Sequence, residues 1–181
     1  MTCIVAIAHE GVVYMGGERG HSTSGWISSS TRPKISQHGE YLFGYTSNAG
    51  IGQWIEQGMT FPDIEIEDTY KHLITVFMPA LRDFLSDNDI KKDGDTHEAD
   101  LYLGFRGKVY EINTDHMYCT EYTEIAGGSG YQYAFGSLYT SIDKHPIERI
   151  GLALGAAIMY SPSCQGPIDI LSTGYAQVVD N

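Results

Sequence analysis

Basic residues are scarce in this chain. Its 181 residues include 11 Lys and Arg against 23 Asp and Glu, a formal net charge of −12. A phosphate backbone needs a basic face, so nucleic acid is excluded as a partner. The Lys91-Lys92 pair stands alone in acidic surroundings. Cysteine is equally sparse. Cys3, Cys119 and Cys164 are odd in number and widely spaced, which excludes a disulfide framework. With no C-x-x-C pair and with scattered histidines, neither a zinc site nor any other metal centre has its ligands, and no cofactor is expected. Cys3 and Cys119 are read as buried, reduced thiols. No apolar stretch is long enough to span a bilayer. The first apolar run is broken by His9 and Glu10 and follows no basic segment, unlike a secretory leader. The expectation is a cytoplasmic protein with no membrane partner.

What the chain does have is core. Hydrophobic residues make up 42% and charged residues 19%, a globular balance. No linker or composition shift divides the sequence, so residues 1–181 are read as one domain. Ile4 to Ala8 and Val12 to Gly17 read as strands joined at Glu10-Gly11, and their unbroken apolar runs suggest burial on both faces. Pro33 to Ser36 and Tyr41 to Gly44 form another pair about His38-Gly39-Glu40. A helix is expected after Ser47 or Asn48 as its cap.

Residues 67–86 predict a longer helix. Tyr70, Leu73, Ile74, Phe77, Leu81 and Leu85 form its apolar stripe, Asp68 its cap, and Pro79 a kink. Leu101 to Phe105 and Val109 to Ile112 alternate about Arg106-Gly107 as a hairpin. "GGSG" at 127–130 reads as a turn into a helix. Pro146 opens another, with Ile147, Ile150, Leu154 and Ile158 facing inward. "PIDILSTGYAQVV" closes the chain with a strand or two. Strands alternating with pairs of helices predict a layered α+β fold, helices outside a β-core.

The acidic loop at 87–98 lacks calcium-loop spacing, because Ile90, Lys91 and Lys92 interrupt the ligand positions. His97 lacks the second histidine of a zincin helix. "GGSG" has Tyr131 where a nucleophile elbow needs its second glycine, and it lacks a dinucleotide fingerprint's third. Thr2 offers other chemistry. A free N-terminal amine has a pKa near ~7.7–8.0. It can act as base for the hydroxyl of its own residue. Removal of Met1 would make Thr2 nucleophile and base together. A chain can equally begin Met-Thr without using the threonine.

"TCIVAIAHEGVVYMGGE", "RPKI", "LFGYTSNAGIGQ" and "AGGSGYQYAFGSL" together decide between those readings. The chain resembles the proteasome β-subunit family of N-terminal-nucleophile (Ntn) hydrolases, most closely its HslV-type branch, over nearly its whole length. The resemblance implies a four-layer α-β-β-α sandwich. It places Thr2 as nucleophile, Lys34 as the catalytic lysine, Glu18 as its acidic partner and Ser129 as the supporting serine near the α-amine. A backbone N–H near Ser47 would be the oxyanion donor. It implies a threonine peptidase acting on peptides or unfolded protein, a homo-oligomeric ring and an ATPase unfoldase partner. The chain departs from the family in carrying Glu18 for Asp, Thr46-Ser47-Asn48 for Gly-Gly, and Ser161 and Cys164 for an Asp and a Ser. Two alternatives follow: a catalytically inactive structural or binding subunit, and an amidase acting on a small amide. A specificity pocket is expected near Trp26 to Ser30 and Thr46 to Gln53, with Ile51 on its wall.

Overall fold

Along the first strand, Val5 and Ile7 face one apolar cluster and Ile4 and Ala6 face another. A period of two with both faces covered explains the unbroken apolar run. The computed structural model describes residues 2–23, 25–88, 99–114 and 116–173. Strand β1 (Cys3–His9) lies between β2 (Val12–Glu18) and β10 (Glu124–Gly128). β2 also pairs with β11 (Ile168–Ser172), completing a 4-stranded antiparallel sheet. A second, 5-stranded antiparallel sheet runs in the order β5 (Ile35–His38), β6 (Tyr41–Ser47), β7 (Ala99–Phe105), β8 (Lys108–Asn113) and β9 (Tyr118–Tyr122). A 2-stranded ribbon, β3 (Gly20–Thr23) with β4 (Trp26–Ser29), joins them along the chain.

Three apolar interfaces stack these elements into four layers. Between the sheets lie Ile4, Ala6, Met15, Leu42, Tyr102 and Val109. Outside the 4-stranded sheet, α4 (Tyr131–Thr140) and α5 (Pro146–Tyr160) bury Ala134, Leu138, Ile150, Ala153, Leu154 and Ala157 against β1. Outside the 5-stranded sheet, α1 (Ala49–Gly58) contributes Ile51 and Ile55 to a cluster with Phe43, Leu101, Leu103 and Phe105. The architecture is a four-layer α-β-β-α sandwich.

The 67–86 segment differs from the expected kinked helix. It is α2 (Thr69–His72), a π-helical turn at Leu73–Phe77, and α3 (Met78–Asp87). The N–H of Met78 reaches back to the carbonyl of Leu73. The wide turn ends next to Pro79, whose ring crowds the carbonyl four residues back in a regular α-helix. The distortion therefore falls before the proline. Leu73, Phe77 and Leu81 are buried as expected, and Leu85 packs beside them. Tyr70 and Ile74 are exposed and leave the stripe. In α5, Ile147 shares the expected face but lies in the first turn, ahead of the packed stretch, and is exposed. Alanines do more of the packing. Opposite them stands Gly16, where a Cβ would come within 2.3 Å of Ile150 Cγ2. Cys119 is half-buried instead of buried. The ribbon β3–β4 and strand β9 were not anticipated. The acidic loop expected at 87–98, with Lys91, Lys92 and His97, falls mostly outside the described residues, as does the chain after 173. Among the described residues, no helix is long and apolar enough to cross a membrane.

Candidate functional site

β1 starts beside the end of β2, so Thr2 and Glu18 arrive side by side. Lys34 enters from the segment leading into β5. Thr2 is 3% exposed and Glu18 0% exposed. A carboxylate this deep is tolerable only when paired and fully hydrogen-bonded. Glu18 meets that condition. Its Oε1 accepts from Thr2 Oγ1 at 2.8 Å and from the Cys3 N–H at 3.1 Å. Its Oε2 accepts from the N–H groups of Gly20 at 2.6 Å and Gln165 at 2.7 Å. The Lys34 ammonium stands 3.2 Å from Oε1. It also donates to Thr2 Oγ1 and to the carbonyl of Gly20. The Thr2 hydroxyl thus sits between a cation that donates to it and a carboxylate that accepts from it. Burial pushes the Cys3 and Cys164 thiols up, so these neighbours stay neutral and protonated.

Ser129 is at the site. Its Oγ donates to the carbonyl oxygen of Thr2 at 3.3 Å. The preceding Gly128 has φ +79, and a Cβ there would come within 2.2 Å of that same carbonyl. Glycine is therefore required on two counts.

Ser47 has φ 65, the left-handed region, where a non-glycine residue is uncommon. Its Oγ donates to Asp100 Oδ2 at 3.0 Å. The next residue, Asn48, caps α1 by accepting from the N–H groups of Gly50 and Ile51. These local bonds oppose a backbone cost of about 1–3 kcal/mol. The turn thus holds a serine in a backbone conformation that favours glycine.

Two clefts flank the site. The first, about 790 Å³, has Lys34 on its wall with His21, Tyr45, Gln53, Trp54 and Glu56. Burial raises the Glu56 carboxyl above the ordinary range. Ala49, Gln53 and Glu56 fall on one face of α1, while Ile51 and Ile55 turn into the core. Ile51 is therefore not the wall residue the sequence suggested, and Trp26 stands exposed away from the cleft. The second cleft, about 550 Å³, holds Thr2, Ser47 and Ser129 with Asp100, Tyr102 and Glu111. Burial and then the Asp100 charge raise the Glu111 carboxyl. Among the described residues, no group of His, Cys, Asp and Glu is arranged to hold a metal ion.

No protein-family model matches the sequence, and no curated protein sequence matches it. Solved structures do match the fold. Thiobacillus denitrificans BPH in complex with epoxomicin superposes with a TM-score of 0.77 at 17% identity, over 94% of this chain and 97% of that one. A second structure of Thiobacillus denitrificans BPH gives 0.71 at 16% identity, over 94% and 97%. Eukaryotic HslV from Trypanosoma brucei gives 0.63 at 15%, over 94% and 98%. The chain has the HslV fold. Within that HslV fold, sequence reasoning missed Gly20 and Gln165, which hold Glu18 through backbone N–H groups that no side-chain motif reveals. At Gly20 a Cβ would lie 2.4 Å from Glu18 Oε2 and 2.6 Å from the Gln165 nitrogen, so only glycine fits.

Proposed function

We propose that this protein is an N-terminal-threonine hydrolase, a proteasome- or HslV-like peptidase that cleaves amide bonds through an acyl-Thr2 intermediate after removal of Met1. One observation carries the reading: the Lys34 ammonium donates to Thr2 Oγ1 while Glu18 supports both. The freed α-amine takes the hydroxyl proton as Oγ1 attacks the amide carbon. The neighbouring ammonium favours the neutral, proton-accepting form of that amine, because like charges disfavour each other. The backbone N–H of Ser47 stabilises the oxyanion, a type of contact worth about 2.7–4 kcal/mol. The protonated amine then releases the leaving amine, and water hydrolyses the ester. Ser129 steadies the Thr2 carbonyl in this scheme.

Intact-mass measurement of purified protein, with turnover of peptide amides by wild type and Thr2→Ala, tests the proposal. Loss of Met1 with Thr2-dependent turnover is the expected result. Undiminished turnover by Thr2→Ala overturns it. The substituted turn at Thr46-Ser47-Asn48 favours a second reading, an inactive structural or binding subunit, which retained Met1 and absent turnover would support. Parallel assays on small amides separate a peptidase from an amidase. Ring assembly, an ATPase unfoldase partner and a cytoplasmic location belong to the same proposal. Support for assembly is the exposure of Tyr139, Ile142, Met159 and Tyr160 on the α4–α5 layer. Sedimentation that returns only monomer counts against a ring.

A further inference from the structure

Glu18 and Gly20 both touch the Lys34 ammonium, and the residue between them turns the opposite way. Arg19 sends its guanidinium to Asp169 on β11, with Nε to Oδ2 at 2.6 Å and Nη2 to Oδ1 at 2.6 Å. Its Nη1 donates to the carbonyl of Thr31 at 2.9 Å, in the segment that carries Lys34. The Arg19 backbone is held as well: its N–H reaches the Pro167 carbonyl at 3.1 Å, and its carbonyl accepts from the Ser30 N–H at 2.8 Å. Ser29 Oγ donates to the Gly166 carbonyl, and Gln165 donates to Glu18. One side chain therefore ties together the end of β2, the 165–169 segment and the segment leading to Lys34.

We infer that Arg19 and Asp169 are positioning residues, a two-pronged clamp that sets the separation of Glu18, Lys34 and Thr2; the inference rests on the proposed Thr2 hydrolase. The fork geometry fixes distance and angle together. The pair is partly exposed, at 24% and 21%, so solvent screens its contribution to global stability. Its effect on geometry is not small, because a misplacement on the order of 1 Å costs about a hundredfold in rate. Rate and stability should therefore separate.

The experiment uses the full chain with Met1 removal verified by mass. Arg19→Gln and Asp169→Asn are expected to lower kcat roughly tenfold or more with KM within about twofold, since neither residue touches substrate. Melting temperature should move by no more than about 3 °C. The reversed pair, Arg19→Asp with Asp169→Arg, should recover part of kcat. If Arg19→Gln does not fold, Asp169→Asn, which leaves the bond to Thr31 intact, carries the test. Wild-type kcat in the folded single variants overturns the clamp, as does a loss that tracks only the folded fraction. Thr2→Ala separates the two ideas. If it is inactive while Arg19→Gln is fully active, only the clamp is wrong; if it turns over like wild type, the hydrolase reading has failed and the clamp with it.

Discussion

Glu18 and His72 are both 0% exposed, yet the protein treats them in opposite ways. Glu18 is surrounded by donors: the Thr2 hydroxyl, three backbone N–H groups and the Lys34 ammonium. His72 lies among the rings of Tyr41 and Phe105. Its Nε2 meets the Tyr41 hydroxyl at 2.6 Å, and its Nδ1 has no hydrogen-bond partner among the described residues. Burial and then Arg106 push the His72 imidazole below its ordinary range. The difference is between a buried ion supplied with every partner it needs and a buried titratable group kept neutral because its surroundings offer almost none.

Removing the carboxylate should have the largest effect. Glu18→Ala leaves the N–H groups of Cys3, Gly20 and Gln165 without this acceptor and takes the carboxylate from beside the Lys34 ammonium, and is expected to cost about 3–5 kcal/mol by urea denaturation. On the proposed mechanism, Thr2-dependent turnover disappears as well. A loss below about 1 kcal/mol would mean that water replaces the carboxylate and that the comparison is wrong. Next comes Gly20→Ala, which forces a methyl against Glu18 Oε2 and the Gln165 backbone. An expected loss of about 1–3 kcal/mol, with a displaced Glu18 in a crystal structure of the variant, would show that the donors act through close approach.

His72 supplies the contrast. His72→Phe removes one hydrogen bond and one partnerless nitrogen, so stability at neutral pH should change by less than about 1.5 kcal/mol. Its pH signature should be clearer. Because the folded value is lowered, the unfolded chain binds the proton first as pH falls below 6.5. The contribution is fully present above that value and is lost on acidification, at up to about 1.4 kcal/mol per pH unit. The raised carboxyls of Glu56 and Glu111 act in the opposite direction. The test is therefore the difference between wild type and His72→Phe across pH 5 to 7; parallel curves would remove His72 from the account. Ser47→Gly should have the smallest effect, within about 1 kcal/mol by the same denaturation. It relieves the left-handed backbone but loses the bond to Asp100. A larger loss would show that the Asp100 bond dominates.

Much of the fold was legible because periodicity reports which faces are covered. β1, β2 and the β7–β8 hairpin alternate or run apolar according to the layers they meet. The ribbon β3–β4 was not legible: "GHST" and "WISS" are short and mostly polar, with no face that a core selects. The π turn was hidden because Leu73, Phe77 and Leu81 fit α-helical spacing equally well. At the site, Thr2 was singled out by its own chemistry and Glu18 and Lys34 by the resemblance, and the structure brings them into contact. Their catalytic roles remain the proposal tested above. The Ser129 contact to a carbonyl, and Ile51 turned into the core, depended on directions that spacing does not carry.

Residue order alone determined which strands are buried, where helices begin, and that a hydroxyl amino acid stands directly ahead of a core strand. Only the tertiary structure decided that Glu18 can lie at zero exposure, because its support comes from backbone N–H groups of Cys3, Gly20 and Gln165. Every residue type except proline carries that group, so composition gives no sign of where three will converge.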